Sequence, residues 1–301
     1  MSAAKIARLT DRGVVSVKGS DSEKLLQGLI TNDLERLDGA GDHTGLHAAL
    51  LSPQGKILFD FFVVRAAGSY LLDVAEAKAG DLAKRLAMYK LRADVTIADV
   101  SSQFIVFALW GDDAEPIGQT LADIRFIDPQ SPAMGVRLLA EGHLANRDLP
   151  PAQTASSCEY DAHRVALGVP EGGKDYEFGD AYPHEANFDL LHGVSFTKGC
   201  YVGQEVVARM QNKTVVRKRV VKISAKAPLT SGVDVLLGEA PIGRVGTVDG
   251  GNALAMLRLD RALEAQQKNQ MLTASGITIT PDAEAVARYR DTAEPSAAIH
   301  I

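Results

Sequence analysis

The sequence predicts an α+β fold, and three features predict it. Short apolar runs between residues 12 and 110 read as strands with single helices among them. Ser52-Pro53-Gln54-Gly55 places tight-turn residues between two such runs, as a β-hairpin requires. Beyond Lys213 the texture changes to apolar runs of a few residues separated by glycine, proline and serine, which suits a small barrel.

Taken in order, Arg12 to Lys18 forms a strand, and Gly19 and Ser20 lead into a helix capped by Ser20 or Asp21. Leu25, Leu26, Leu29 and Ile30 supply its apolar face, and Thr31-Asn32-Asp33 ends it. Residues 45–51 and 56–65 flank the hairpin turn, and residues 70–74 add a further strand. Lys78 to Tyr89 has helical spacing, whereas residues 95–100 and 104–110 return to strands. This ββαβ-like order predicts a small α+β lobe with an antiparallel sheet. Residues 121–139 contain strand-like pieces broken by Pro129 and Pro132, and Pro150-Pro151 marks a loop. A helix then includes Tyr160 to Leu167, followed by an irregular Gly- and Pro-rich stretch up to Pro183. In the barrel region residues 276–280 are expected to close the ring.

Length and composition limit the function classes. At ~100–200 residues per domain, 301 residues predict two or three modules. A chain of this length can bury a core without disulfide or metal staples, and its 46% apolar residues are ordinary for a globular protein. No run approaches the ~20 apolar residues that cross a bilayer, so no membrane partner is expected. The opening residues lack the apolar stretch of a secretory signal, which points to a cytoplasmic location. A net charge of −6 does not suit a nucleic-acid binder. The basic run from Lys213 to Lys222 alternates with valines, as in a strand with one wet face. Two cysteines, Cys158 and Cys200, fit a reducing compartment but fall short of a four-cysteine iron–sulfur site. His163, His184 and His192 share no metal-ligand spacing, so the chain alone is expected to hold no stable metal.

Chemistry concentrates in residues 194–212, VSFTKGCYVGQEVVARMQN. Val194 to Phe196 is strand-like, Lys198-Gly199 turns, and Val202, Val206, Val207 and Met210 define one helical face. Cys200 is therefore expected at or near a helix N-terminus. There the helix dipole and the Lys198 charge favour thiolate, the nucleophilic and metal-ligating form. Gly199 permits close backbone approach. Gln204 and Glu205 fall on the first turn, where a carboxylate suits the dipole. The alternative is an inert, packed cysteine at a tight turn.

KGCYVGQEVVARM resembles the K-G-C-Y-x-G-Q-E signature of the YgfZ family, in which Cys200, Lys198, Gly199, Tyr201, Gly203, Gln204 and Glu205 are motif positions. The resemblance extends to LLQGLITNDL (25–34), LLSPQGKILFDFFV (50–63), LAMYKLRADVTI (86–97) and residues 163–189. Within that family the sequence is most similar to the mitochondrial-type iron–sulfur assembly branch and its bacterial relatives. The resemblance implies an aminomethyltransferase-like, folate-binding fold, like the T-protein of the glycine cleavage system. Interlocked α+β lobes would surround a central channel, with a folate-binding region over 1–213, a C-terminal β-barrel over 214–290 and a tail over 291–301.

The family implies an accessory factor for assembly or repair of four-iron, four-sulfur proteins rather than a classical enzyme. Cys200 would be its reactive thiol, A-type carriers and client apoproteins its partners, and effects on tRNA modification indirect. Tetrahydrofolate or a related folate is the implied cofactor. Tyr160 could stack on its ring or serve as a core aromatic, and Arg164 could pair with its glutamate tail or form a surface salt bridge. Glu185 and Asp189 could accept from its amino groups or cap a helix. The alternative activity is tetrahydrofolate-dependent aminomethyl transfer or demethylation. Against it, Phe59 precedes Asp60 where related aminomethyltransferases carry two acids, and Ala166 replaces their pterin-holding glutamate.

Overall fold

The computed structural model describes residues 4–37, 44–66, 68–122, 124–141 and 153–293. The loop expected at Pro150-Pro151 and residues 294–301 of the expected tail lie outside these. The chain divides into two compact units, one of residues 1–160 with 189–204, the other of residues 161–188 with 205–301.

The first unit carries two five-stranded sheets. One consists of β2 (Arg12–Lys18), β3 (Gly45–Leu51), β4 (Ile57–Ala66), β5 (Ser69–Ala75) and β6 (Thr96–Asp99), in the order β3-β4-β5-β2-β6. The expected hairpin joins β3 to β4, closed by the Ser52 amide on the Lys56 carbonyl at 2.8 Å. Gly55 adopts φ +79°, a conformation glycine enters without steric cost. All seven residues of β3 are buried, so this is a two-sided core strand. Helix α1 (Ser22–Gln27) and helix α2 (Glu76–Lys90) cover the sheet, with Leu26, Ala79, Leu82 and Leu86 in its core. Asp21 does precede α1, but its carboxylate accepts from the Asp94 amide at 2.8 Å instead of capping the helix.

The second sheet has the order β10-β1-β7-β9-β8, from β1 (Lys5–Arg8), β7 (Phe104–Trp110), β8 (Ile124–Ile127), β9 (Val136–Glu141) and β10 (Gln153–Ala155). Among the described residues, β1–β10 is the one parallel strand pairing within this sheet. Helix α3 (Ala114–Leu121) packs on this sheet.

Buried charges tie the two sheets together. Arg12 on β2 donates to Asp73 on β5 at 2.7 Å, and Arg137 on β9 lies 3.5 Å from the same carboxylate and 3.6 Å from Asp128. The Arg137 guanidinium also sits 4.7 Å from the centre of the Phe62 ring. Four charges shielded from water in this way hold together only as a matched set.

In the other unit, β11 (Lys218–Ala225), β12 (Asp234–Leu237), β13 (Ala240–Asp249), β14 (Asn252–Arg258), β15 (Leu272–Ala274) and β16 (Ile277–Pro281) form a closed barrel, order β11-β14-β13-β12-β15-β16. Pairing of β16 with β11 closes it, as expected for residues 276–280. Closure removes the exposed edges that such short strands would otherwise present. Helix α6 (Leu259–Gln267) buries Leu259, Ala262 and Ala265 against the barrel core, which also receives Val286 and Tyr289 of α7 (Ala283–Ala293). The strand-and-turn reading of this region did not anticipate these two helices.

Candidate functional site

The strand expected at Val194–Phe196 does not form. Residues 193–203 run as an irregular segment, and helix α5 (Gln204–Lys213) begins four residues after Cys200. Cys200 and Gly199 are exposed, and both cysteines are free thiols. Because the dipole effect fades within the first helical turn, Cys200 gains less from α5 than a residue at its cap would. Glu205 does lie in that first turn.

Hydrogen bonds to Ile30, Thr31 and Asn32 fix the irregular segment from beneath. The Ser195 amide donates to the Thr31 carbonyl at 2.9 Å, and Thr31 Oγ1 donates to the Gly193 carbonyl at 2.7 Å. Asn32 Nδ2 reaches the carbonyls of His192 and His47, each at 2.7 Å. Thr31 and Asn32 are buried, so each of these bonds replaces one otherwise made to water. The sequence reading treated these residues only as the end of a helix; their small polar side chains inside a buried segment are the signal it passed over.

Lys198 completes the attachment. The residue is 7% exposed, and Nζ donates to the carbonyls of Ile30 at 2.8 Å and Asn32 at 2.7 Å. Burial lowers its pKa to about 8 despite the opposing influence of Asp33. Nζ also lies 5.3 Å from the centre of the Tyr201 ring, whose hydroxyl burial pushes up to about 12. Gly203 has φ +83°, and a Cβ there would meet the Ser52 carbonyl oxygen at 2.8 Å. Glycine thus lets the motif lie flush against the hairpin turn. An exposed thiol results, carried on a backbone anchored on both sides.

The residues singled out for folate do not gather in one unit: Tyr160 and Asp189 belong to the first, Arg164 and Glu185 to the other. Tyr160 is a core aromatic on helix α4 (Ser157–Leu167), 5.6 Å from the Trp110 ring, and its hydroxyl accepts from Arg137 at 3.0 Å. Asp189 is half-buried. Arg164 is buried among Asp161 at 2.7 Å, Asp175 at 2.9 Å and Glu171 at 3.3 Å, and also donates to Val169 and Thr247. Its donors are committed, which leaves none for a glutamate tail. Glu185 accepts from the Tyr182 amide at 2.9 Å, a turn-capping contact. Phe59 is buried in the core and Ala166 is exposed. Arg164 and Glu185 are thus already engaged within their own unit. Among the described residues no group of three or more His, Cys, Asp or Glu is placed to hold a metal ion.

Comparison with known proteins places this geometry. Residues 2–143 match the GCVT N-terminal domain and residues 217–289 the CAF17 C-terminal beta-barrel domain. The human iron–sulfur cluster assembly factor IBA57 is 32% identical over 273 residues, covering 83% of this chain and 76% of that protein. The chain belongs to the IBA57 family of iron–sulfur cluster assembly factors. The mouse IBA57 protein is 34% identical over 248 residues, covering 75% and 68%. An IBA57 homologue from Mycosarcoma maydis is 36% identical over 230 residues, covering 73% and 57%. Against four such curated IBA57 relatives from fungi and Dictyostelium discoideum, the chain spans 53% to 61% of their length. Glycine cleavage system aminomethyltransferase T from Bartonella henselae superposes with a TM-score of 0.74 at 16% identity, covering 95% of this chain and 86% of that one. That likeness shows the aminomethyltransferase-like fold expected from the motif. The expected cytoplasmic location is overturned, because these IBA57 relatives carry mitochondrial names.

Proposed function

We propose that this protein is an accessory factor for iron–sulfur cluster assembly or repair and that Cys200 is its working thiol. The observation that carries the proposal is an exposed Cys200 on a segment whose backbone is held by Lys198, Thr31 and Asn32. A thiol fixed in space but open to solvent suits attack on a partner's sulfur centre or ligation of an iron in the cargo. Two cysteines cannot complete a four-thiolate cluster, so the other ligands come from a carrier protein of the A-type class or from the client apoprotein. Effects on tRNA modification follow indirectly, through iron–sulfur enzymes that this factor supports. Folate takes no step in the proposal, because Arg164 and Glu185 are already committed within the protein.

The test is aconitase activity in a strain lacking this protein, complemented with the wild-type chain or with Cys200→Ser. Loss on deletion with rescue by wild type alone is the expected result. Rescue by both would remove the thiol from the mechanism. Unchanged aconitase on deletion would overturn the assembly role and make aminomethyl transfer the reaction to assay.

A further inference from the structure

In the unit that holds the barrel, a cavity of about 560 Å³ separates residues 173–181 from β11, β13 and β14. This volume lies within the ~300–1,000 Å³ typical of small-ligand sites. Buried bonds fix its walls. Asp175 Oδ1 accepts from the Thr247 amide at 2.8 Å, while Oδ2 accepts from the Glu171 amide at 2.8 Å and from Arg164 at 2.9 Å. A Cβ on Gly246 would meet Asp175 Oδ1 at 2.5 Å, so glycine there lets the 173–181 segment press against the barrel wall.

The charges lining the cavity are unevenly matched. Lys174 pairs with Asp161 and Glu171, Lys218 with Asp180 at 3.6 Å, and Arg258 with Asp260 at 2.5 Å. The Arg244 guanidinium has no hydrogen-bond or ion-pair partner among the described residues, although Asp234 stands opposite it in the β12–β13 register. On its other side the register partner of Arg244 is the buried Met256, and Ile242, Ala181 and Tyr176 add buried apolar surface to the lining.

We infer that this cavity binds a small organic monoanion, with a carboxylate on Arg244 and an apolar body against Met256 and Ile242. A guanidinium holds a carboxylate through two parallel hydrogen bonds, and Lys174, Lys218 and Arg258 already face carboxylates, so Arg244 is the cation left to receive one, although the exposed Glu177 also lines the cavity.

The probe is 1-naphthoate, titrated into the full-length protein carrying ¹³C-methyl methionine and followed at the Met256 methyl signal. Saturable binding is expected, weakened at least roughly tenfold in Arg244→Ala and partly retained in Arg244→Lys. The uncharged analogue 1-naphthalenemethanol is expected to bind at least roughly tenfold more weakly than 1-naphthoate. No saturable shift of Met256 up to about 10 mM, equal binding by the wild type and Arg244→Ala, or equal binding of the two probes each overturns the inference.

Discussion

Lys198 Nζ lies 2.7 Å from the carbonyl oxygen of Asn32, so the motif lysine two residues before Cys200 is a buried anchor. Its second bond, to Ile30, spans 168 positions of sequence and brings the start of the chain under the cysteine segment.

Lys198→Met leaves those two carbonyls without a donor, at a cost of about 1–3 kcal/mol for each left dry, offset in part by removal of a buried ammonium. The offset depends on pH. With a folded pKa of about 8 against 10.5 when unperturbed, the unfolded chain binds the proton more tightly between these values. Stability contributed by this residue therefore rises as pH climbs through the window, by up to about 3 kcal/mol over its full width. Urea unfolding of wild type and Lys198→Met at intervals between pH 7.5 and 10 is expected to show the wild-type advantage growing. A constant difference would mean that Lys198 titrates normally.

Thr31→Val tests the same attachment from the other side. Thr31 Oγ1 accepts from the Ala49 amide at 2.8 Å while donating to Gly193, and it is fully buried. Valine keeps the shape and strands both partners, so a loss of about 2 kcal/mol in urea-unfolding stability is expected. A change below about 0.5 kcal/mol would show that water replaces the hydroxyl there.

The local order of elements was legible wherever periodicity carried it. The 45–65 hairpin, α2 and the closing strand β16 all follow from apolar spacing and turn residues near in sequence. What escaped was long-range. Nothing in Thr31-Asn32-Asp33 states that residues 192–198 lie against it, because hydrogen bonds between segments about 160 positions apart leave no period. Arg164 illustrates the same limit. Its charge suggested a ligand or surface partner, whereas three carboxylates, two of them within ten residues, surround it in the folded chain. Helices α6 and α7 were hidden by the strand-like runs that precede them, since a short amphipathic segment beside strands has little signal of its own.

Asp73→Asn probes the charge set joining the sheets of the first unit. Asp73 is wholly buried and faces both Arg12 and Arg137. Neutralising it leaves two buried guanidinium groups short of negative charge, and breaking a buried set of this kind costs about 3–5 kcal/mol. The expected result is a lower urea midpoint with an unchanged slope. A loss under about 1 kcal/mol would show that Asp128 and water compensate.

His47 makes the fold acid-sensitive. Burial, with smaller contributions from Arg12 and Arg137, lowers its pKa to about 3, against an opposing backbone hydrogen bond involving Leu191. The unfolded chain protonates this imidazole below pH 6.5, while the folded chain resists until near pH 3. Stability is therefore lost as pH falls through that interval, at a rate approaching about 1.4 kcal/mol per pH unit from this residue alone. Replacing it by His47→Gln removes the titrating group but keeps a polar side chain. Urea unfolding between pH 7 and 4 is expected to fall more steeply for the wild type than for His47→Gln. Parallel curves would place the acid sensitivity elsewhere, with the raised pKa of Asp128 working in the opposite sense because its folded form takes up a proton earlier than its unfolded form.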